Sequence, residues 1–138
     1  MKRLILPAVL GTALLLAPAM AHADTKNGIT PLAPRPGATV AVGSAPTFKG
    51  KVKGAGTVWV HVCKKPGRNG DGLICHKEMI AKARKRDGRF SVKADFFDFP
   101  AFWLNSPGTY YWQAHRIKCE GGVSDCRQEG PVVKFRVG

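Results

Sequence analysis

From residue 48 onward, apolar and polar side chains alternate with a period of two. Phe48, Gly50 and Val52 alternate with Lys49, Lys51 and Lys53, and Val58, Val60 and Val62 with Trp59, His61 and Cys63. The same beat returns in Phe90 and Val92 against Arg89, Ser91 and Lys93, in Tyr110, Trp112 and Ala114 against Tyr111, Gln113 and His115, and in Val133, Phe135 and Val137 against Lys134 and Arg136. Successive side chains of a strand point to opposite faces, so each run predicts a half-buried β-strand. Turn formers separate the runs at 54–56, 66–72, Asp87-Gly88, Pro107-Gly108 and Gly121-Gly122. That punctuation predicts an all-β fold of two packed antiparallel sheets with about seven strands. Residues 77–86 carry Met79, Ile80, Ala81 and Ala83 among five cations and fit a short basic helix or a strand. A strand is expected, because the segment runs into an Asp-Gly turn that would pair it with 89–94.

The start of the chain follows a different rule. Met1, Lys2 and Arg3 precede an apolar stretch, 4–19, that contains Pro7 and Pro18, and Ala21-His22-Ala23 offers a small-x-small cleavage site. This is the pattern of a secretory signal peptide cut after Ala23; the prolines and the short apolar run argue against a membrane-spanning helix. The expected organisation is a leader at 1–23, a Pro/Gly/Ala-rich arm at 24–45 that joins the fold late, and one sandwich domain at 46–138. The expected location is secreted or extracytoplasmic. No lipidation cysteine follows the cleavage site, so any surface attachment would be noncovalent.

An exported chain reaches an oxidising compartment, where an even number of cysteines pairs. Cys63, Cys75, Cys119 and Cys126 allow three connectivities, and we expect Cys63 with Cys75 and Cys119 with Cys126, since each pair brackets a glycine-rich return of the chain. Loop-closure entropy gives roughly 3 kcal/mol for the first bridge and about 2.5 kcal/mol for the second. A metal site is the alternative, because His61, His76 and His115 lie near cysteines, but the C-x-x-C spacing of structural zinc sites is missing. No metal and no cofactor is expected.

Several of these segments also carry a family likeness. Pro46-Thr47-Phe48, the run from Asp87-Gly88-Arg89 to Val92, Pro107-Gly108-Thr109-Tyr110-Tyr111-Trp112 and the closing Val133 to Val137 resemble immunoglobulin-like and fibronectin type III-like modules of secreted bacterial proteins. The resemblance implies an immunoglobulin-like β-sandwich. It further implies that Tyr110 is the tyrosine such modules place near the start of their sixth strand, with its hydroxyl tied to upstream backbone.

Charge then narrows the function classes. The full chain has a net charge of +13, and loss of Lys2 and Arg3 leaves twenty cations against nine acids, about +11. Outside the cytoplasm such a field favours polyanions. In the expected sandwich, Lys49, Lys51, Lys53, Arg89 and Lys93 share one outer face. Alternate residues on a strand are about 6.6 Å apart, close to the separation of successive phosphates on an extended polyanion, so this lysine ladder is a candidate polyanion track. The alternative is a solvated face whose lysines discourage edge pairing. On the other sheet, Trp59, His61, Tyr111, Gln113 and His115 would face outward as an aromatic and hydrogen-bonding surface for a saccharide or a protein. His61 and His115 would repel one another when protonated near pH 6. The apolar connection with Phe96, Phe97, Phe99, Phe102 and Trp103 is expected to plug one end of the sandwich.

Hydrolase, P-loop, zincin and dinucleotide motifs are absent from the sequence. The expected protein is therefore not an enzyme. It is an exported basic module that docks on an anionic envelope polymer or a protein partner, with nonspecific nucleic-acid binding within reach of its charge. The alternatives are a small secreted ribonuclease using His61 and His115, and a purely structural accessory subunit.

Overall fold

A computed structural model describes residues 23–69, 72–75, 79–93, 104–118 and 126–138. The expected leader apart from Ala23, the five aromatic residues of the connection between β9 and Leu104, His76 and Cys119 lie outside the described residues.

The chain is all-β among the described residues, and two sheets pack face to face. Its strands are β1 (Ile29–Ala33), β2 (Thr39–Val40), β3 (Thr47–Val52), β4 (Thr57–Cys63), β5 (Gly67–Asn69), β6 (Gly72–Ile74), β7 (Met79–Lys82), β8 (Arg84–Arg86), β9 (Arg89–Lys93), β10 (Gly108–Ile117), β11 (Arg127–Glu129) and β12 (Val133–Val137). One sheet has the order β1-β3-β9-β8; the other runs β2-β12-β10-β4-β7, with β11 also on β10, and β5-β6 form a separate hairpin. Where about seven strands were expected, the described residues hold twelve, because β2, β5, β6, β8 and β11 are short pieces with too few residues to show a period.

The inward half of the alternation forms the core. Phe48, Val52, Val58, Val60, Val62, Phe90, Trp112, Ala114, Val133, Phe135 and Val137 are all buried in one cluster. Phe48 lies edge-on to both Trp112 and Phe135, at ring separations of 5.5 and 5.8 Å. Such burial stabilises by about 1.5–3 kcal/mol for each large side chain. Gly50 also faces inward, and its missing side chain is what admits the Phe90 ring from the next strand: a Cβ there would stand 2.5 Å from Phe90 Cζ. Leu104, at the end of the aromatic connection, is fully buried in the same cluster. Tyr110 Oη donates to the carbonyl of Ser106 at 2.9 Å, the upstream tie implied by the resemblance.

Two segments change sheet and close the two sides of the sandwich. Residues 24–45, expected as an arm, supply β1, which pairs antiparallel with β3, and β2, which pairs parallel with β12; the cis Ala33–Pro34 bond lies between them. Ile29 is fully buried, and Trp112 Nε1 donates to the Pro34 carbonyl at 2.9 Å. Prolines hide these strands from a periodicity reading while leaving their carbonyls free to pair. On the other side, β7 belongs to one sheet and β8 to the other, with Ala83 between them donating its N–H to the Val58 carbonyl at 2.9 Å. The 77–86 region is thus strand where described, but only Arg84–Arg86 makes the expected pairing with 89–94; Met79–Lys82 pairs with β4 instead. The edge strands β1 and β2, and β7 and β8, are thus each joined across the two main sheets by continuous chain. The β8–β9 hairpin closes through Asp87 and Gly88, at φ 51° and 70°, the two left-handed residues that a tight twisted hairpin turn requires.

Candidate polyanion interface

The register of the four-stranded sheet decides which cations meet. Lys49 pairs with Ser91 and Lys51 with Arg89 across β3–β9, while Arg84 pairs with Ser91 and Arg86 with Arg89 across β8–β9. Thr47 pairs with Lys93. One outer face therefore presents Lys49, Lys51, Arg84, Arg86, Arg89 and Lys93, all exposed, around the half-buried Ser91. Four of the five residues expected on this face are on it, in the expected sheet. Lys53 is exposed at the rim, one residue past the end of β3, where its N–H donates to the Gly28 carbonyl at 2.9 Å.

Arg84 and Arg86 were missed because the helix-or-strand ambiguity of 77–86 left their direction unassigned. The signal was present in the Asp87-Gly88 turn. A two-residue hairpin loop places Arg86 opposite Arg89 and, two residues on, Arg84 opposite Ser91.

The arrangement is electrostatically costly. Lys51, Arg89 and Arg86 form a row across three adjacent strands, and like charges directly opposite each other destabilise a sheet. The one carboxylate among the described residues of this face is Asp87, 3.5 Å from Arg86 Nε; both side chains are 88% exposed, so the pair offsets little of the repulsion. Between the cations the surface dips. A hollow of about 450 Å³ is lined by Leu32, Lys49, Arg84, Arg86, Arg89 and Ser91, and also by Asp87 and Phe90. A second, of about 440 Å³, is bounded by Thr47, Lys82, Arg84, Ser91 and Lys93. They share Arg84 and Ser91, so they meet along β9.

The outer face of the six-stranded sheet differs from expectation. Trp59, His61, Tyr111, Gln113 and His115 do share that face, through the β4–β10 register. It is not an open recognition surface. His61, Gln113 and His115 are buried, at 3%, 1% and 3% exposure, and Trp59 and Tyr111 are half-buried. The reason is a roof from elsewhere in the chain. The Cys63–Cys75 disulfide holds Cys75 above the sheet, where its N–H donates to Gln113 Oε1 at 2.9 Å. Gln113 Nε2 donates to the Gly130 carbonyl at 2.7 Å, in the break between β11 and β12. Gln113 is thus committed to satisfying two backbone groups, and a ligand cannot reach it without breaking them.

The expectation for the histidines is also revised. Their rings lie 4.4 Å apart, and His115 Nδ1 is buried without a hydrogen-bond partner. Desolvation, then the neighbouring His61 and then Arg127, push the His115 pKa down from 6.5 to about 3. This ring stays neutral at pH 6, and no repulsion between two imidazoliums arises there.

The Cys63–Cys75 bridge is the expected one, and disulfide sulfurs carry no thiolate to offer a metal. Cys126 is disulfide-bonded as well, while its expected partner Cys119 lies outside the described residues. Comparison of the chain with protein-family models, with curated proteins and with solved structures finds no match in any of the three.

Proposed function

We propose that this chain is an exported, immunoglobulin-like module that acts without catalysis, docking on an anionic polymer of the cell envelope through the outer face of its four-stranded sheet. The observation that carries this reading is the row of like charges held in register on that face, which folding alone does not favour and a polyanion would neutralise. The immunoglobulin likeness draws support from strand order. Immunoglobulin domains place strands A, B, E and D in one sheet and C, F and G in the other, and β1-β3-β9-β8 and β12-β10-β4-β7 follow that order when β7 is taken as an added C′. The tie of Tyr110 to Ser106 agrees with it. Export draws support from the Cys63–Cys75 disulfide. No helix among the described residues is long and apolar enough to cross a membrane.

The ribonuclease alternative needs His61 and His115 to reach a substrate. Both rings are buried, and burial keeps the His115 imidazole neutral, which disfavours it as a general acid on a polymer substrate.

The test is adsorption to a phosphate-rich polymer as salt is raised. Wild-type retention should fall steeply between low and physiological salt, because counterion release drives such binding. Changing Lys49, Lys51 and Arg89 together to Glu should abolish retention, whereas changing Lys134 and Arg136, exposed on the other sheet, should have a small effect. Retention that ignores both salt and the triple change refutes the proposal.

A further inference from the structure

The polymer-docking reading leaves open what kind of polymer fits, and the register around Ser91 narrows it. Ser91 is half-buried and stands at the centre of a cross of cations: Lys49 and Arg84 are its partners on the two adjacent strands, and Arg89 and Lys93 lie two residues away along its own. The two hollows that meet at Arg84 and Ser91 make this a track and not a point. One reaches toward Arg86 and Arg89, the other toward Lys82 and Lys93. The span from Arg89 to Lys93 is about 13 Å, with outward positions every ~6.6 Å. Successive phosphates of an extended phosphodiester chain repeat at close to that interval, so one strand of such a chain can place three in register with residues 89, 91 and 93.

The described strands of this face also lack what a nucleic-acid reader uses. Proteins that hold single strands stack the bases on aromatic side chains. The aromatic residues on the described strands of this sheet are Phe48 and Phe90; both are buried, and Phe90 borders the first hollow at only 1% exposure. Among the described residues of these strands, none offers a base an exposed ring to stack on.

Resting on the docking reading, we infer that the outer face of the four-stranded sheet binds a single extended phosphodiester-linked polyol chain, laid along β9 over Ser91 and held through its phosphates alone.

The experiment is fluorescence anisotropy of the disulfide-bonded protein with labelled oligomers of propanediol phosphate. Affinity should climb with chain length up to about three phosphates and grow only slowly beyond. The slope of log affinity against log salt should lie near −2, for about three phosphates at roughly −0.7 each. Oligomers with as many phosphates on hexaethylene glycol spacers should bind about tenfold more weakly. Ser91→Asp should weaken binding at least about tenfold, while Ser91→Thr, which keeps the hydroxyl and suits a strand, should keep it. A thymidine oligonucleotide should bind within about twofold of the base-free chain of equal length. Indifference to spacing and to Ser91→Asp, with salt-dependent adsorption intact, overturns the track and leaves the docking reading standing. A tenfold preference for the thymidine chain makes nucleic acid the ligand and overturns the inference. Failure of every oligomer, and of the phosphate-rich polymer, to bind removes the docking reading itself.

Discussion

Acid should unfold this protein in a window set by a histidine. His115 is 3% exposed on β10, with His61 from β4 against its ring and Arg127 and Glu129 from β11 across the ladder. Glu129 stands in register opposite His115, but its carboxylate is engaged by Arg127 Nε at 3.0 Å. The folded state therefore holds the His115 pKa at about 3, against 6.5 in the unfolded chain, with desolvation the largest cause. A group whose folded pKa is depressed in this way leaves the unfolded state with the extra proton anywhere between the two values. Stability is thus complete above pH 6.5 and lost progressively as pH falls from there to about 3. At pH 5 the solution lies about 1.5 units below the unfolded value, worth ~2 kcal/mol and, in a domain of this size, a drop in Tm of about 6–10 °C. Carboxylates of ordinary pKa are still mostly ionised at pH 5, so thermal melts at pH 7.5 and pH 5 isolate the histidine contribution. His115→Phe and His115→Asn should each cut the pH-dependent loss by about 2 kcal/mol, whatever they do to stability at pH 7.5. Equal melting of the wild type at the two pH values, or an undiminished drop in both variants, would refute the account of a neutral buried ring.

Three further outcomes test the packing. Gly50→Ala would put a Cβ 2.5 Å from Phe90 Cζ and 2.6 Å from the Thr30 carbonyl, so it should destabilise by about 1–3 kcal/mol in urea unfolding; a neutral result means that β1 and β9 yield easily. Tyr110→Phe removes only the hydroxyl that donates to Ser106 and should lower stability by about 1 kcal/mol with unchanged circular dichroism. Changing Cys63 and Cys75 together to Ser opens a loop with a sequence separation of 12, and should lower stability by about 3 kcal/mol while loosening the cover over His61 and Gln113. Hydrogen exchange at the residue-75 backbone amide, compared between the two proteins, would report that loosening.

What a single strand can express was readable without coordinates. Inward Phe48, Val58, Trp112 and Phe135 announce themselves by period two, because the pleat sends alternate side chains to opposite faces whatever the rest of the chain does. The pairing of Cys63 with Cys75 and the turn at Asp87-Gly88 were legible for a similar reason, since loop closure and left-handed backbone are local matters. Residues 29–40 escaped notice because their prolines break the period without preventing strand pairing.

Which outward face stays wet is a different kind of question. Lys49 and Lys51 alternate outward on β3 just as His61 does on β4, yet the lysines are exposed and the histidine is buried. The difference comes from Cys75, 38 residues away from the Gln113 side chain it meets, and from Gly130, 17 residues beyond. Alternation determined which side chains leave the core, and hence that a cationic row would exist. Only the tertiary structure decided that His61, Gln113 and His115 on one outward layer would be covered, Gln113 by Cys75 and Gly130, and the other layer left open, because solvent is excluded by whatever packs on top of a sheet and a strand's own sequence does not encode its cover.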